Sequence, residues 1–219
     1  MFDSAMVVGR GRVGSAVRER LAERGVRLRT DQPELVLLCV PDAAIEEVAQ
    51  GIAVGPWLAH VSGATSLAAL QPHVRRFSVH PLQTFTRARG AEQIDGAWGA
   101  VPGETEEATA RARWLAERLG LRPFPLSDEQ RVLYHAGAVV ASNYLVTLYR
   151  AATQLFTAAG APPEALVPLM RRTIENGFDL TGPIARGDWK TVDAHLEEIG
   201  RRVPGLAPMY RALAAATVP

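Results

Sequence analysis

The segment Gly9–Gly14, GRGRVG, has the form G-x-G-x-x-G and lies between an apolar run and a helical pattern. The preceding run, Ala5–Val8, predicts a short buried parallel strand, and apolar residues recur at helical spacing after the last glycine. In this context the first glycine permits a tight turn, the second lets the backbone approach a pyrophosphate, and the third lets the helix pack close to the strand. The segment therefore predicts a phosphate-binding turn at a helix N-terminus. The alternative is a glycine-rich turn that binds no ligand.

The composition narrows the classes of partner and compartment. With 219 residues, 47% of them apolar and 21% charged, the chain resembles an ordinary globular protein. A net charge of +1 gives no reason to expect nucleic acid or an acidic membrane as a partner. Cys39 is the only cysteine, which excludes a disulfide framework. No signal peptide is visible and no apolar run approaches the ~20 residues of a membrane span, so we expect a cytoplasmic protein.

Strand-like and helix-like segments alternate over residues 1–126. This alternation is typical of an α/β fold with a doubly wound, mostly parallel sheet. A charged amphipathic helix, Glu104–Leu119, closes this part of the chain. The strands predicted after the first one are Leu35–Val40, Trp57–Val61, Arg76–Val79 and Ala97–Val101.

The pattern becomes entirely helical from Ser127 onward, which predicts a second domain over residues 127–219. Ser127 and Gln130 have the spacing of a capping box, and helical sequence continues to about Gly160. At ~1.5 Å per residue this helix would be close to 50 Å long, so it either spans two lobes or bends near Gly137. Further helices are predicted over Pro162–Asn176, Trp189–Arg202 and Pro208–Ala216.

The segment that normally holds the adenosine ribose of a dinucleotide is shortened. After Val26–Thr30 only four residues precede the next strand, whereas a parallel crossover needs a dozen or more. The segment is therefore short or irregular, or a βαβ step has been removed. Arg29 with Thr30 would suit the 2′-phosphate of NADP and Asp31 the 2′-hydroxyl of NAD. The shortening should weaken dinucleotide binding or abolish it.

Two histidines lie at the carboxyl ends of predicted strands, at the sheet edge where ligands of α/β proteins bind. His80 comes directly after the fourth strand, and an imidazole titrates near neutral pH, which suits proton donation to a carbonyl or imine. The alternative is a histidine that braces a loop. For His60, which lies within the third strand, the structural interpretation is favoured. Ser62 follows it near the same edge.

A polar stripe runs along the long helix among small residues. Such a stripe is exposed, bonded between helices or directed into a substrate pocket, because unbonded burial is costly. Its members are Arg131, His135, Ser142 and Asn143, and Tyr134 lies beside them.

Several chemistries lack their sequence signatures. There is no P-loop, which argues against phosphoryl transfer, and no G-x-S-x-G nucleophile turn. The five histidines have no metal-ligand spacing with carboxylates or with Cys39, so no metal site is expected.

Taken together, the chain resembles a family of Rossmann-like proteins with an all-helical C-terminal domain, related to 6-phosphogluconate dehydrogenase and pyrroline-5-carboxylate reductase. The resemblance implies an NAD(P)-linked oxidoreductase whose helical domain forms a homodimer and contributes to the substrate cleft. The lysine that the wider superfamily uses on the long helix is absent. The resemblance rests on Gly9–Gly14, Val40–Asp42, His60–Gly63, His80–Gln83, Tyr134 with His135, Ser142 with Asn143, and Thr181–Asp188 with His195 and Leu196.

Our first hypothesis is a reductase or dehydrogenase that moves hydride between NADP, or NAD, and a small carbonyl or imine substrate. The alternatives are a non-catalytic relative that binds a mononucleotide or a phosphorylated metabolite, and a dimeric scaffold with an empty crevice. The candidate catalytic residues are His80, Tyr134, His135 and Asn143. The candidate cofactor-binding residues are Gly9, Arg10, Gly11, Arg12, Val13, Gly14, Val40, Pro41 and Ser62.

Overall fold

A computed structural model describes residues 1–218 of the chain, which form two compact units, the first ending at Val140 and the second beginning at Ala141. The first unit is built on a five-stranded parallel sheet in the order β2-β1-β3-β4-β5. This confirms the predicted α/β class. The strands are β1 (Ser4–Val8), β2 (Arg27–Leu28), β3 (Leu35–Leu38), β4 (Trp57–His60) and β5 (Arg76–Ser78).

Helices cover both faces of this sheet. On one face α1 (Arg12–Glu23) and α3 (Glu106–Leu119) bury Leu21 and Leu115 against inward residues of the strands, such as Leu37. On the other face α2 (Ile45–Gln50) and the 3-10 turn Leu67–Leu70 cover Leu38 and Leu58. The strands are apolar on both faces because both faces are covered. In open parallel sheets of this kind, ligands bind at the edge formed by the carboxyl ends of the strands.

The predicted fifth strand lies outside the parallel sheet. β7 (Trp98–Ala100) belongs to a separate three-stranded sheet, where it pairs antiparallel with β6 (His80–Leu82) and parallel with β8 (Arg122–Phe124). The predicted fifth strand, Ala97–Val101, is therefore observed as a strand, but it belongs to a second, mixed sheet. His80 pairs with Ala100, so the chain has left the first sheet after β5.

Strand β2 is connected to β3 without a crossover helix because it is very short. It is two residues long and pairs only with the first residues of β1, Ser4 with Arg27 and Ala5 with Leu28. β3 starts at the same level on the other side of β1, since Leu35 also pairs with Ala5. The chain therefore passes from one side of β1 to the other without climbing the sheet, which confirms the prediction of a short strand.

The long helical stretch begins in the first unit and is interrupted once. A capping box at Ser127 starts a 3-10 turn that leads into α4 (Arg131–Val139), and a π-helical turn, Val140–Tyr144, precedes α5 (Leu145–Ala159). The interruption of the helix, the π-helical turn, thus begins three residues after Gly137, near which a bend was one of the two expectations. Strands give way to helices after β8, as predicted, but the first unit extends to Val140 because side chains of α4 pack onto the strand ends. The proposed division of function between residues 1–126 and 127–219 stays a prediction.

The second unit contains α5 and three further helices, with no strand among residues 141–218. Asp188 caps α7 through the amide and hydroxyl of Thr191. A hydrogen bond of 2.7 Å between His195 Nδ1 and the hydroxyl of Tyr210 joins α7 to α8. No helix within residues 1–218 has the length and apolar character to cross a membrane. These helices are α6 (Leu166–Glu175), α7 (Trp189–Arg202) and α8 (Ala207–Thr217).

Candidate functional site

The turn after β1 is tight enough to require two of its three glycines. Gly9 has φ of +105°, and a Cβ there would lie 2.3 Å from the carbonyl oxygen of Cys39. A Cβ on Gly14 would lie 2.4 Å from the carbonyl oxygen of Gly9. These contacts are with backbone, which cannot move aside cheaply. Gly11 differs, because a Cβ built there meets no atom within 4 Å. Its bare backbone therefore faces space that a ligand can enter.

Helix α1 presents its N-terminus to that space. The cap residue Gly11 makes no side-chain cap hydrogen bond, and the first turn contains no acidic residue. Backbone N–H groups and the positive end of the helix dipole therefore remain suited to an anion. Arg10 and Arg12 are both exposed beside the turn, and the Arg12 guanidinium donates to the carbonyl oxygen of Phe85 at 3.2 Å. Val13 packs partly buried against the core.

The other three predicted cofactor residues differ in how they are placed. Val40 and Pro41 follow β3, and the Val40 amide nitrogen would lie 3.3 Å from a Cβ on Gly9. The Ser62 hydroxyl instead caps its own turn. It accepts from the amides of Ala64 and Thr65 at 3.2 and 3.0 Å and bonds the Thr65 hydroxyl at 2.9 Å. Its side chain is thus already engaged within the protein.

The segment expected to hold the adenosine ribose lies at the opposite end of β1. The Arg29 amide donates to the carbonyl oxygen of Ala5, four residues before the glycine-rich turn begins. At ~3.3 Å per residue this level is about 13 Å from Gly9 along the strand. The Arg29 guanidinium also forms two hydrogen bonds with the Asp31 carboxylate, at 2.6 and 3.4 Å. Neither NADP recognition by Arg29 nor NAD recognition by Asp31 is built at the ligand-binding edge.

Three of the four predicted catalytic residues lie together, and two of them are adjacent to Gly63. The Nδ1 atom of His80 and the hydroxyl of Tyr134 are 2.7 Å apart, and their rings meet edge to face. The His80 and His135 rings are 6.0 Å apart. A Cβ on Gly63 would lie 2.8 Å from His135 Cδ2 and 2.9 Å from His80 Nε2. A side chain at Gly63 would therefore force both imidazoles away, a constraint that the sequence does not reveal.

The environment sets the protonation of this group. Burial, together with the neighbouring His135 and Arg131, lowers the pKa of His80 to about 4. Burial also raises the pKa of Tyr134 to about 12, although Arg131 opposes that shift. At neutral pH the pair is therefore a neutral imidazole bonded to a neutral phenol. Such a pair can donate one proton from the phenol, and the hydrogen bond from the neutral imidazole can stabilise the phenolate that results.

His60 has a structural role, as the sequence favours. Its side chain is fully buried in β4, and its Nδ1 accepts a hydrogen bond of 3.2 Å from the Ser62 amide. Burial lowers the pKa of His60 to about 3, so the ring is neutral in the folded protein. It supports the turn that leads to Gly63.

Asn143 lies in the second compact unit, on the π-helical turn, and its Oδ1 accepts from the Ser142 hydroxyl at 3.1 Å. Its role in catalysis stays a prediction. Among residues 1–218, no group of three or more histidine, cysteine or acidic side chains is arranged to hold a metal ion.

Comparison with known families places this architecture. Residues 98–217 match the family described as Domain of unknown function (DUF2520). The chain belongs to this family. A search of curated proteins found no match.

Solved structures of the same fold cover almost the entire chain. A Bacteroides fragilis protein provisionally named an NADP oxidoreductase is 21% identical, with a TM-score of 0.82 over 98% of this chain and 97% of that one. A Thermotoga maritima protein is 26% identical, with a TM-score of 0.77 over 97% and 96%. Pyrroline-5-carboxylate reductase from Streptococcus pyogenes is 18% identical, with a TM-score of 0.61 over 98% and 96%. These similarities establish the Rossmann-like fold with a helical C-terminal region.

Proposed function

We propose that this DUF2520 protein is an NAD(P)-dependent oxidoreductase that transfers hydride between the nicotinamide and a small carbonyl or imine substrate. The observation that carries the proposal is the His80–Tyr134 pair, which lies beyond the carboxyl end of β5 in the sheet whose β1 ends at the glycine-rich turn. Ligands of open parallel sheets bind along that edge. The nicotinamide oxidoreductases among the structural neighbours support the same reaction class.

The turn fits the phosphate part of the cofactor. The α1 N-terminus and the open backbone at Gly11 would hold the pyrophosphate, and the exposed Arg10 and Arg12 are suited to charge-assisted bonds with it. Val40 and Pro41 would border the adjacent nucleoside. A nicotinamide bound beside this edge supplies or accepts the hydride.

The protein's own contribution to the reaction is the proton. Reduction of a carbonyl or imine leaves an oxygen or nitrogen that must gain a proton, and the His80–Tyr134 pair holds one in a neutral hydrogen bond. When Tyr134 gives its proton to the substrate, the neutral imidazole of His80 can donate a hydrogen bond from Nδ1 to the phenolate that remains, and water then returns the proton to Tyr134. His135, whose ring lies 6.0 Å from that of His80, would help to orient the substrate.

A second candidate function is supported by β2. Because Arg29 and Asp31 are paired with each other and lie at the amino end of β1, the adenosine ribose has no partner from this segment. A mononucleotide or a phosphorylated metabolite needs only the turn. In this case the protein would bind such a ligand without catalysing hydride transfer.

Cofactor titration separates the two functions. NADPH and NADH are added to the purified protein while nicotinamide fluorescence is followed, with AMP and a sugar phosphate tested in parallel by thermal shift. The oxidoreductase should bind either dinucleotide below millimolar concentration and oxidise it with a carbonyl or imine from a substrate panel. Stabilisation by AMP or the sugar phosphate, with no dinucleotide binding at millimolar concentration, would favour the second function.

We also propose that the second unit forms a homodimer. Among residues 141–218, only Leu166, Val192, Ile199 and Ala214 are buried apolar side chains. Exposed apolar area of this extent usually marks a protein interface. Sedimentation should give a dimer at micromolar concentration, and a monomer would contradict it. The exposed apolar side chains include Tyr144, Leu145, Leu148, Leu169, Phe178 and Trp189.

A further inference from the structure

Arg131, the first residue of α4, is a charged side chain that is only 1% exposed. Burying a guanidinium costs several kcal/mol unless its N–H donors are hydrogen-bonded, which is comparable to the net stability of a small domain. A buried cation beside a candidate site therefore calls for an account of its partners.

Its three partners come from three different elements. The Nε atom donates to the Asp128 carboxylate at 2.5 Å, just before α4. One terminal nitrogen donates to the carbonyl oxygen of Ser62, after β4, at 3.1 Å. The other donates to the hydroxyl of Ser78, the last residue of β5. Arg131 thus ties the beginning of α4 to the carboxyl ends of two neighbouring strands.

Asp128 extends this connection. Its carboxylate accepts from the Ser66 hydroxyl at 2.5 Å and from the Leu67 amide at 3.1 Å. Burial opposes ionisation of Asp128, but the hydrogen bonds from Ser66, Leu67 and Arg131 outweigh it and hold its pKa below the usual value. The anchor of α4 is therefore an ion pair that is bonded on both sides.

The anchor lies next to the two members of the proton-donating pair. Tyr134 follows Arg131 by one helical turn, and His80 follows Ser78 by two residues. We propose that Arg131 is a positioning residue, which holds α4 against β5 so that the Tyr134 hydroxyl stays bonded to His80. Only the predicted effect of Arg131 on turnover rests on the proposed oxidoreductase function. The geometric consequence can be tested in the protein without any ligand.

Charge and position can be separated with two substitutions. Arg131→Lys keeps a cation but cannot reach all three acceptors, whereas Arg131→Met removes both the charge and the bonds. The groups that act on His80 are Tyr134, His135 and Arg131 from α4, His60 from β4, and Asp42 before α2. Arg76→Met is the matched control, since Arg76 lies on the same strand as Ser78 and loses a bidentate ion pair with Glu104.

The first readout is nitrogen-15 NMR of His80 in the ligand-free protein. We expect both Arg131 variants to lose the Nδ1 signature of the bond to Tyr134, with the pKa of His80 rising in Arg131→Met and staying lower in Arg131→Lys. Arg76→Met should keep the bond. If the bond persists in both Arg131 variants, the positioning role is wrong, whatever reaction the protein catalyses.

The second readout is turnover with the substrate found by titration. Loss of alignment should lower kcat by about 100-fold in both Arg131 variants and leave KM within about threefold. Adding Tyr134→Phe should then cause no further loss, because Arg131 acts through that hydroxyl. Full kcat in Arg131→Lys would overturn the proposal. Complete absence of turnover in the unmodified protein would instead count against the oxidoreductase function and leave the NMR result to decide the position.

Discussion

The two ends of strand β1 differ in how completely they form a nucleotide site. At its carboxyl end Gly9 and Gly14 fit against backbone with no room for a side chain, and Gly11 leaves open space before α1. At its amino end β2 has two residues, and Arg29 and Asp31 neutralise each other. The phosphate end of the proposed site therefore has the geometry of a phosphate-binding turn, while the ribose end is reduced. A glycine-rich turn with this geometry can be kept in a sheet whose neighbouring strand, β2, has only two residues.

Substitution at the carboxyl end should have the largest effect. Gly14→Ala places a methyl group against the Gly9 carbonyl oxygen, so the turn must shift. We expect the free energy of unfolding to fall by about 1–3 kcal/mol and phosphate-ligand affinity to fall by about 100-fold. Urea unfolding and fluorescence titration measure the two effects. Normal binding by the Gly14→Ala variant would show that the turn does not hold the ligand.

Acid should destabilise the protein through the histidines near the carboxyl end. His60 and His80 have folded-state pKa values of about 3 and 4, below the usual 6.5. The unfolded chain therefore binds more protons at pH 4–6.5, and stability present above pH 6.5 is lost as the pH falls. Each histidine should contribute up to about 1.4 kcal/mol per pH unit in that window. Urea unfolding from pH 7.5 to 5 tests this, and a flat profile would contradict the neutral buried rings.

Gly11→Ala separates ligand contact from folding within the same turn. The new methyl group meets no protein atom, and the φ of −72° suits alanine. Stability should stay within about 0.5 kcal/mol, while affinity for a phosphate ligand falls by about tenfold. Unchanged affinity would mean that ligands do not approach the backbone at Gly11.

The smallest effect is expected at the amino end. Arg29→Ala removes an exposed ion pair far from the turn, so stability should change by no more than about 0.5 kcal/mol and the Kd of NADPH by less than about twofold. Asp31→Ala is the matched control for NADH. A tenfold loss of NADPH affinity in the Arg29 variant would show that the segment after β2 does bind the adenosine ribose.

The sequence predicted the parts of the site that depend on local sterics and chain length. The glycine turn follows from three spaced glycines, and the short β2 follows from the four residues between Thr30 and Leu35. The convergence of His80 and Tyr134 was only partly predictable, because strand ends and helix stripes give an edge rather than a distance. The structure nevertheless brings three of the proposed catalytic residues, His80, Tyr134 and His135, close together.

Long-range contacts account for what the sequence did not predict. Two partners of Arg131, Ser62 and Ser78, are distant along the chain, and no sequence periodicity predicts these contacts. The second sheet consists of three-residue strands, one containing Pro81 and another Pro123, too short for an alternating pattern. Ser62 follows a strand as a ligand-binding serine would, yet its hydroxyl completes a local turn.

The ratio of the Kd values of NADPH and NADH tests the difference between the two ends most directly. Charge-assisted bonds to a 2′-phosphate contribute about 1.5–3 kcal/mol each, so a protein that makes them prefers NADPH by roughly tenfold or more. With Arg29 and Asp31 paired at the amino end of β1, we expect calorimetry to give two values within about fivefold of each other. A preference of about 50-fold or more for either dinucleotide would contradict a reduced ribose end.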